Sequence, residues 1–204
     1  MPDPLYLSCW LRGVTENNML RAYEKLLRLF PFSPLSKQPS TFRVMAIDVT
    51  LPAVFERAVS SPPDLDDVLA AARDFRNADG SYQLETWWDL WQYEAGESGG
   101  DWRLLPARVS LTCFGPQFDN EIEDTLRVDL GPDSHFLPQP QLPNHLPMVR
   151  ANVESLLKLT HDADAVLNPE RRLLWTESGA NFVDRMRRAL QDTATRSPAA
   201  SDPD

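Results

Sequence analysis

A chain of 204 residues is long for one average domain and short for two, so length admits one domain or two fused half-size units, and either can bury a real core. With 42% hydrophobic and 25% charged residues the composition is that of a globular chain, and no run of ~18 apolar residues is present that could cross a bilayer as a helix. The formal net charge of −10 repels polyanions at long range, which weighs against DNA, RNA and anionic membrane surfaces as main partners.

The opening MPDPLYLSCWLRG has no basic stretch followed by an apolar run and a cleavage site, so no secretory signal is read and a cytoplasmic location is expected. LYLSCWLRGV from Leu5 reads as a strand closed by Gly13. Thr15 is placed to cap a helix in which Met19, Leu20, Tyr23, Leu26, Leu27 and Phe30 recur at helical spacing, and Pro31 ends it. A Ser/Pro-rich loop, PFSPLSKQPS, leads into TFRVMAIDVT and then AVFERAV, two stretches expected to pair as adjacent strands around Pro52.

SSPPDLDDVLAAARDF opens with prolines and aspartates suited to a first helical turn and places Leu65, Val68, Leu69, Ala72 and Phe75 on one face. In that position Asp64, Asp66 and Asp67 read as charges opposing the helix dipole rather than as a cation site. Asp79-Gly80 turns the chain into a strand rich in tryptophan. Strand, helix, strand, strand, helix, strand over residues 5 to 93 is the succession of a ferredoxin-like two-layer sandwich.

The second half reads as strands RLLPARVSLTCFG and DTLRVDLG, five prolines between Pro132 and Pro147 in an extended connection, and two C-terminal helices. The helices are expected near Pro147–Thr160, carrying Val149, Val153, Leu156 and Leu157, and near Ser178–Leu190, carrying Phe182, Val183, Met186 and Leu190. The fold class expected is therefore α+β: a ferredoxin-like unit over 1–95, its antiparallel sheet extended by a second α+β unit over 101–190, and a disordered tail over 191–204. LSCW at Leu7 echoes LTCF at Leu111, and TFRV at Thr41 echoes TLRV at Thr125, so the second unit could be a degenerate duplication of the first.

ETWWDLWQYE, Glu85 to Glu94, is the least ordinary stretch. On a strand, Tyr82, Leu84, Thr86, Trp88 and Leu90 share a conventional core face, while Gln83, Glu85, Trp87, Asp89, Trp91 and Tyr93 share a face that is aromatic and acidic at once. Rings of ~150–250 Å² each are too large to leave bare, so a cover is expected from the second half of the chain, a second copy, or a stacking ligand. Under the first two readings the indoles are structural, with Glu85 and Asp89 at the rim or paired with Arg103 or Arg108.

Under the third, Glu85, Trp87, Asp89, Trp91 and Tyr93 form a binding site for a sugar-like or cationic compound, whether in a binding protein or a hydrolase. The two carboxylates would lie ~13 Å apart, too far for a direct acid–base pair.

Other chemistry is thinly represented. Cys9 and Cys113 are far apart within apolar runs and read as buried, reduced thiols; His135, His145 and His161 show no ligand spacing; no P-loop, dinucleotide fingerprint or nucleophile elbow occurs. No cofactor or metal is therefore expected. ERRLLWTESGANF reads as the start of a helix stapled by Trp175, or as a small anion pocket of Trp175, Glu177, Ser178 and Asn181. Taken together the sequence points to a non-catalytic protein-interaction or assembly module, partnered by itself or another protein, with the small-ligand binder or hydrolase as the alternative.

Overall fold

In a computed structural model that describes residues 3–96, 99–179 and 182–195, the periodic stretches of the sequence become seven strands and four α-helices. In chain order these are β1 (Pro4–Trp10), α1 (Met19–Leu29), β2 (Ser40–Ala46), β3 (Phe55–Val59), α2 (Leu65–Asp74), β4 (Gly80–Gly96), β5 (Gly99–Phe114), β6 (Leu126–Pro132), α3 (His145–Leu167), β7 (Arg171–Thr176) and α4 (Phe182–Thr195). No helix among the described residues is long and apolar enough to cross a membrane.

Local chemistry accounts for most of the boundaries. Asp64 caps α2, its carboxylate accepting from the Asp66 and Asp67 amides at 3.0 and 3.3 Å, so the DLDD run is a helix start. Thr15 does not cap α1. The Thr15 carbonyl instead accepts from the amides of Asn18 and Met19 in a turn that precedes the helix. Helix α3 begins at His145 and runs on through Leu167, beyond the expected stop at Thr160, with Pro147 inside its first turn where no intrahelical donor is lost.

Helix α4 extends to Thr195, so the first residues of the expected tail are helical; its expected start near Ser178 falls in a turn, and residues 180–181 and 196–204 lie outside the described residues. The stretch read as a stapled helix start is β7, an edge strand.

All seven strands join one antiparallel sheet in the order β3-β2-β4-β5-β6-β1-β7. The expected hairpin near Pro52 is present, with Phe42 opposite Arg57. The strand succession of the first half is also present, but β1 does not close it. β1 lies between β6 and β7, and β5 and β6 separate it from β4, so the first four strands are not a self-contained ferredoxin-like set.

The reason lies in β4 and β5, which pair from Ser81↔Phe114 to Gly96↔Gly99. Their long ladder occupies the side of β4 that a returning β1 would need. Pro106 sits in β5 opposite Asp89, beyond the Ser110–Cys113 stretch that pairs with β6, so its missing N–H faces a side with no strand to serve.

The main core forms on one face. Leu5, Leu7 and Cys9 of β1, Phe42 and Val44 of β2, Tyr82, Leu84, Trp88 and Leu90 of β4, and Val109, Leu111 and Cys113 of β5 are buried against α1, α2 and α3. Both cysteines are free and buried, and burial raises the Cys9 thiol to about 11. The Tyr23 hydroxyl, wholly buried, donates to the Leu111 carbonyl at 3.0 Å and so pins α1 to β5.

Candidate interaction face

The alternation expected of the tryptophan-rich strand is realised. Tyr82, Leu84, Trp88 and Leu90 are buried beneath the helices, whereas Glu85, Trp87, Asp89, Trp91 and Tyr93 project to the opposite side and stand outside the core. Among the described residues the second half of the chain reaches these rings at the Tyr93 end, where buried Trp102 of β5 packs beside Tyr93 and donates from Nε1 to the Pro143 carbonyl at 2.7 Å. Elsewhere it widens the sheet edge-on through β5 and β6, and α3 packs beside α1 on the core face.

Each residue of the expected site has an identifiable partner. Glu85 belongs to an oblique row of alternating charge, Glu56–Arg43–Glu85–Arg108, crossing β3, β2, β4 and β5. Arg43 donates through Nε to Glu56 at 2.6 Å and through Nη1 to Glu85 Oε2 at 3.2 Å, and Arg108 donates to that same oxygen. The bond to Glu56, reinforced by Glu85, holds the Arg43 pKa above its ordinary value. The pairing of Glu85 with Arg108 is one the sequence suggested; Arg103 instead meets Glu94 at 3.4 Å.

Trp87 is half-buried and donates from Nε1 to the Pro39 carbonyl at 3.3 Å. Asp89 accepts from the hydroxyl of buried Ser33, whose amide donates to the Trp87 carbonyl at 2.8 Å. The Ser/Pro-rich loop thus runs along the margin of β4 beyond the end of β2. Trp91 is held through its backbone: buried Asn152 of α3 accepts from its amide at 2.8 Å and donates to its carbonyl and to that of His135, both at 2.9 Å. One side-chain amide therefore substitutes for a missing neighbour strand. Tyr93 meets Trp102 edge-on, centroids 5.7 Å apart.

The far half of the same face is polar and internally satisfied. Trp175 Nε1 donates to Ser8 Oγ at 3.0 Å, Ser8 Oγ donates to Asp124 at 2.6 Å, and Arg127 grips the buried Asp124 carboxylate with Nε at 2.9 Å and Nη2 at 2.7 Å. Tyr6 stacks on Trp175 with centroids 4.7 Å apart and donates to Glu177 at 2.7 Å; burial first, then that bond, raises its pKa far above the ordinary phenol value. Beside this cluster burial also raises Asp129.

The anion pocket expected from Trp175, Glu177, Ser178 and Asn181 is altered by the molecule's own carboxylate. Asp3 accepts from the Ser178 amide at 3.2 Å, and its hydrogen bonds with Ser178 lower its pKa. Asn181 lies outside the described residues. Among the described residues no three His, Cys, Asp or Glu side chains gather as a metal-binding group.

Comparison with protein-family models, curated proteins and solved structures returned no match. Sequence reasoning missed Arg43, Ser33 and Asn152 as the partners that occupy the acidic and indole row. Arg43 was discoverable from strand alternation once β2 was placed beside β4. Ser33 and Asn152 carried no local signal, because one is a loop serine and the other a polar residue inside an apolar helix pattern.

Proposed function

We propose that the protein is a non-catalytic assembly module, and that the open face of its sheet is where a second copy docks. The observation carrying this reading is the combination of half-buried Trp87, Trp91 and Tyr93 on a face without helices and carboxylates already committed to the chain's own partners. Acid–base chemistry or capture of a polyol needs a carboxylate free to accept a new proton or hydroxyl. Glu85 is held by two arginines and Asp89 by Ser33, which weighs against the hydrolase and sugar-binding alternatives.

The charge row favours a second copy as the occupant. Glu56, Arg43, Glu85 and Arg108 read acid, base, acid, base. Reversed by a two-fold axis, the same row presents Arg108 to Glu56 and Glu85 to Arg43, so it is self-complementary, as an isologous interface requires. Such a contact closes the indoles away from water without leaving a charge unpaired.

Sedimentation equilibrium tests the reading. The wild type is expected to dimerise reversibly, Glu85→Arg to be monomeric, and Trp87→Ala with Trp91→Ala to be monomeric while keeping its far-ultraviolet dichroism. A wild type that stays monomeric to several hundred micromolar, with both indoles open to an aqueous quencher, overturns it.

A further inference from the structure

Past the last pairing of β2, at Thr41↔Glu85, and of β6, at Ser110↔Asp129, strands β4 and β5 run on together as a two-stranded ribbon. On its helix-free side Trp91 stands opposite Leu104, and Tyr93 opposite Trp102. Most indoles on this side of the sheet commit their one polar group within the chain. Trp10 donates to the Ile122 carbonyl at 3.1 Å, Trp175 to Ser8 Oγ at 3.0 Å, Trp87 to the Pro39 carbonyl at 3.3 Å and Trp102 to the Pro143 carbonyl at 2.7 Å. Trp91 differs. Its ring is half-buried, yet its indole N–H has no acceptor among the described residues and is not enclosed. The Tyr93 hydroxyl is likewise without a hydrogen-bond partner among them, and Leu104 is 41% exposed.

The neighbouring indoles show which acceptor suits this surface. Trp87 and Trp102 each take a carbonyl of proline, and they take it from two separate proline-rich segments, PFSPLSKQPS and the connection that carries Pro138, Pro140 and Pro143. The edge of β4 is already closed. The Ser33 amide takes the Trp87 carbonyl and Asn152 takes both backbone groups of Trp91, so an added strand finds no ladder to join here. What remains is a surface of side chains, two aromatic and one aliphatic, with an indole that can only donate. A chain in the polyproline II conformation is its complement: proline has no N–H, the backbone makes no internal hydrogen bonds, and the carbonyls stand outward as acceptors. Trp91 and Tyr93 lie ~7 Å apart along the strand, within one ~9 Å turn of such a helix, so neighbouring residues of one segment meet both.

We propose that Trp91, Tyr93 and Leu104 form the docking surface for an extended proline-rich segment of a partner protein, a carbonyl of that segment accepting from the Trp91 indole and its proline rings lying against Tyr93 and Leu104. The net charge of −10 favours a segment flanked by Lys or Arg. A sugar would ask for free carboxylates, whereas Asp89 is held by Ser33 and Glu94 by Arg103. An α-helix would offer carbonyls that are already bonded. The inference goes beyond the docking of a second copy. The charge row from Glu56 to Arg108 crosses four strands, whereas Trp91 and Leu104 stand further along β4 and β5, where no third strand pairs.

Fluorescence and isothermal titration of the full chain test it, at a protein concentration at which the chain sediments as a monomer. The probe is a synthetic peptide of one arginine followed by eight prolines, and its counterpart has alternating glycine and serine in place of the prolines. The proline peptide is expected to saturate one site per chain and to shift the tryptophan emission to the blue, and the counterpart to do neither. Trp91→Phe, which keeps an aromatic ring and removes the donor, should weaken the proline peptide about tenfold, the order of one hydrogen bond at a binding surface. Leu104→Ser should also weaken it, and Leu157→Ser, at an exposed position on α3, should not. No saturable binding up to millimolar peptide, equal affinity for the two peptides, or equal affinity of Trp91→Phe and wild type overturns the proposal. A chain that never dimerises leaves this test intact, and one that dimerises but ignores the peptide refutes this inference alone. Melting midpoints equal to that of the wild type establish that each variant is compared as folded protein.

Discussion

The two faces of one strand, β4, receive the same kind of residue and treat it differently. Trp88 is 3% exposed, pressed between Phe30 and Phe136 with centroids 5.7 and 6.0 Å away. Trp87, its neighbour in sequence, faces away from the helices and is held by one hydrogen bond to a loop carbonyl. Burial on the first face is general, supplied by helices through many weak contacts; on the second it is piecemeal, supplied by single polar partners. The identity of a tryptophan therefore says less about its energetic role than its parity along the strand.

The comparison is sharpest in stability. Trp88→Ala should cost about 3–5 kcal/mol in urea unfolding, the range for emptying a large core ring, whereas Trp87→Ala should cost about 1 kcal/mol, since much of that ring is already solvated in the monomer. Equal losses would break the distinction between the faces. Next in size, Asn152→Leu should cost about 2–3 kcal/mol, because it strands the buried amide and carbonyl of Trp91 and the His135 carbonyl without partners; hydrogen exchange at the Trp91 amide should accelerate in step.

Glu85→Gln should change monomer stability by less than about 1 kcal/mol, as expected where the partner guanidinium of Arg108 is mostly in water, and salt should mask most of the difference.

The smallest effects distinguish the faces by pH. His135, beside Phe136, is lowered by burial from its ordinary 6.5, and its Nδ1 lacks a side-chain partner among the described residues. The unfolded chain then binds the proton first as pH falls, so this contribution to stability is present above 6.5 and is lost as pH falls through the folded value. Asp129, on the open face, is raised by burial from 3.8: the folded chain holds its proton longer, and that contribution, present below 3.8, is lost as pH rises through the folded value. Melting midpoints against pH should lose the first slope in His135→Phe and the second in Asp129→Asn, which retains an acceptor for the Gly131 amide.

Elements whose information is local were legible in the sequence. The 3-and-4 spacing of Met19 to Leu27, the Asp64 cap and the strict alternation of Gln83 to Tyr93 each specify their element without reference to the rest of the chain. Strand adjacency beyond the short β2–β3 hairpin was not legible, because side-chain period fixes which way a residue faces and is silent on which strand lies beside it. Hence the ferredoxin-like order was expected from succession alone, and β7 was overlooked because six residues beginning with Arg171-Arg172 look solvated until an edge position is known. The candidate row was correctly placed on one side of β4, while its partners came from β2, β5, the Ser33 loop and α3.

The position of β1 has a consequence for how the chain comes into being. Its two neighbours, β6 and β7, are drawn from residues 126–132 and 171–176, so a nascent chain emerging from the ribosome carries β1 without either of its partner strands until β6 has been synthesised. Leu5, Leu7 and Cys9 must be shielded during that interval, and α1, the next segment to emerge, is amphipathic and near enough to do so. Completion of β7 gives β1 its second neighbour, so that segments more than 160 residues apart in sequence close on each other like a clasp.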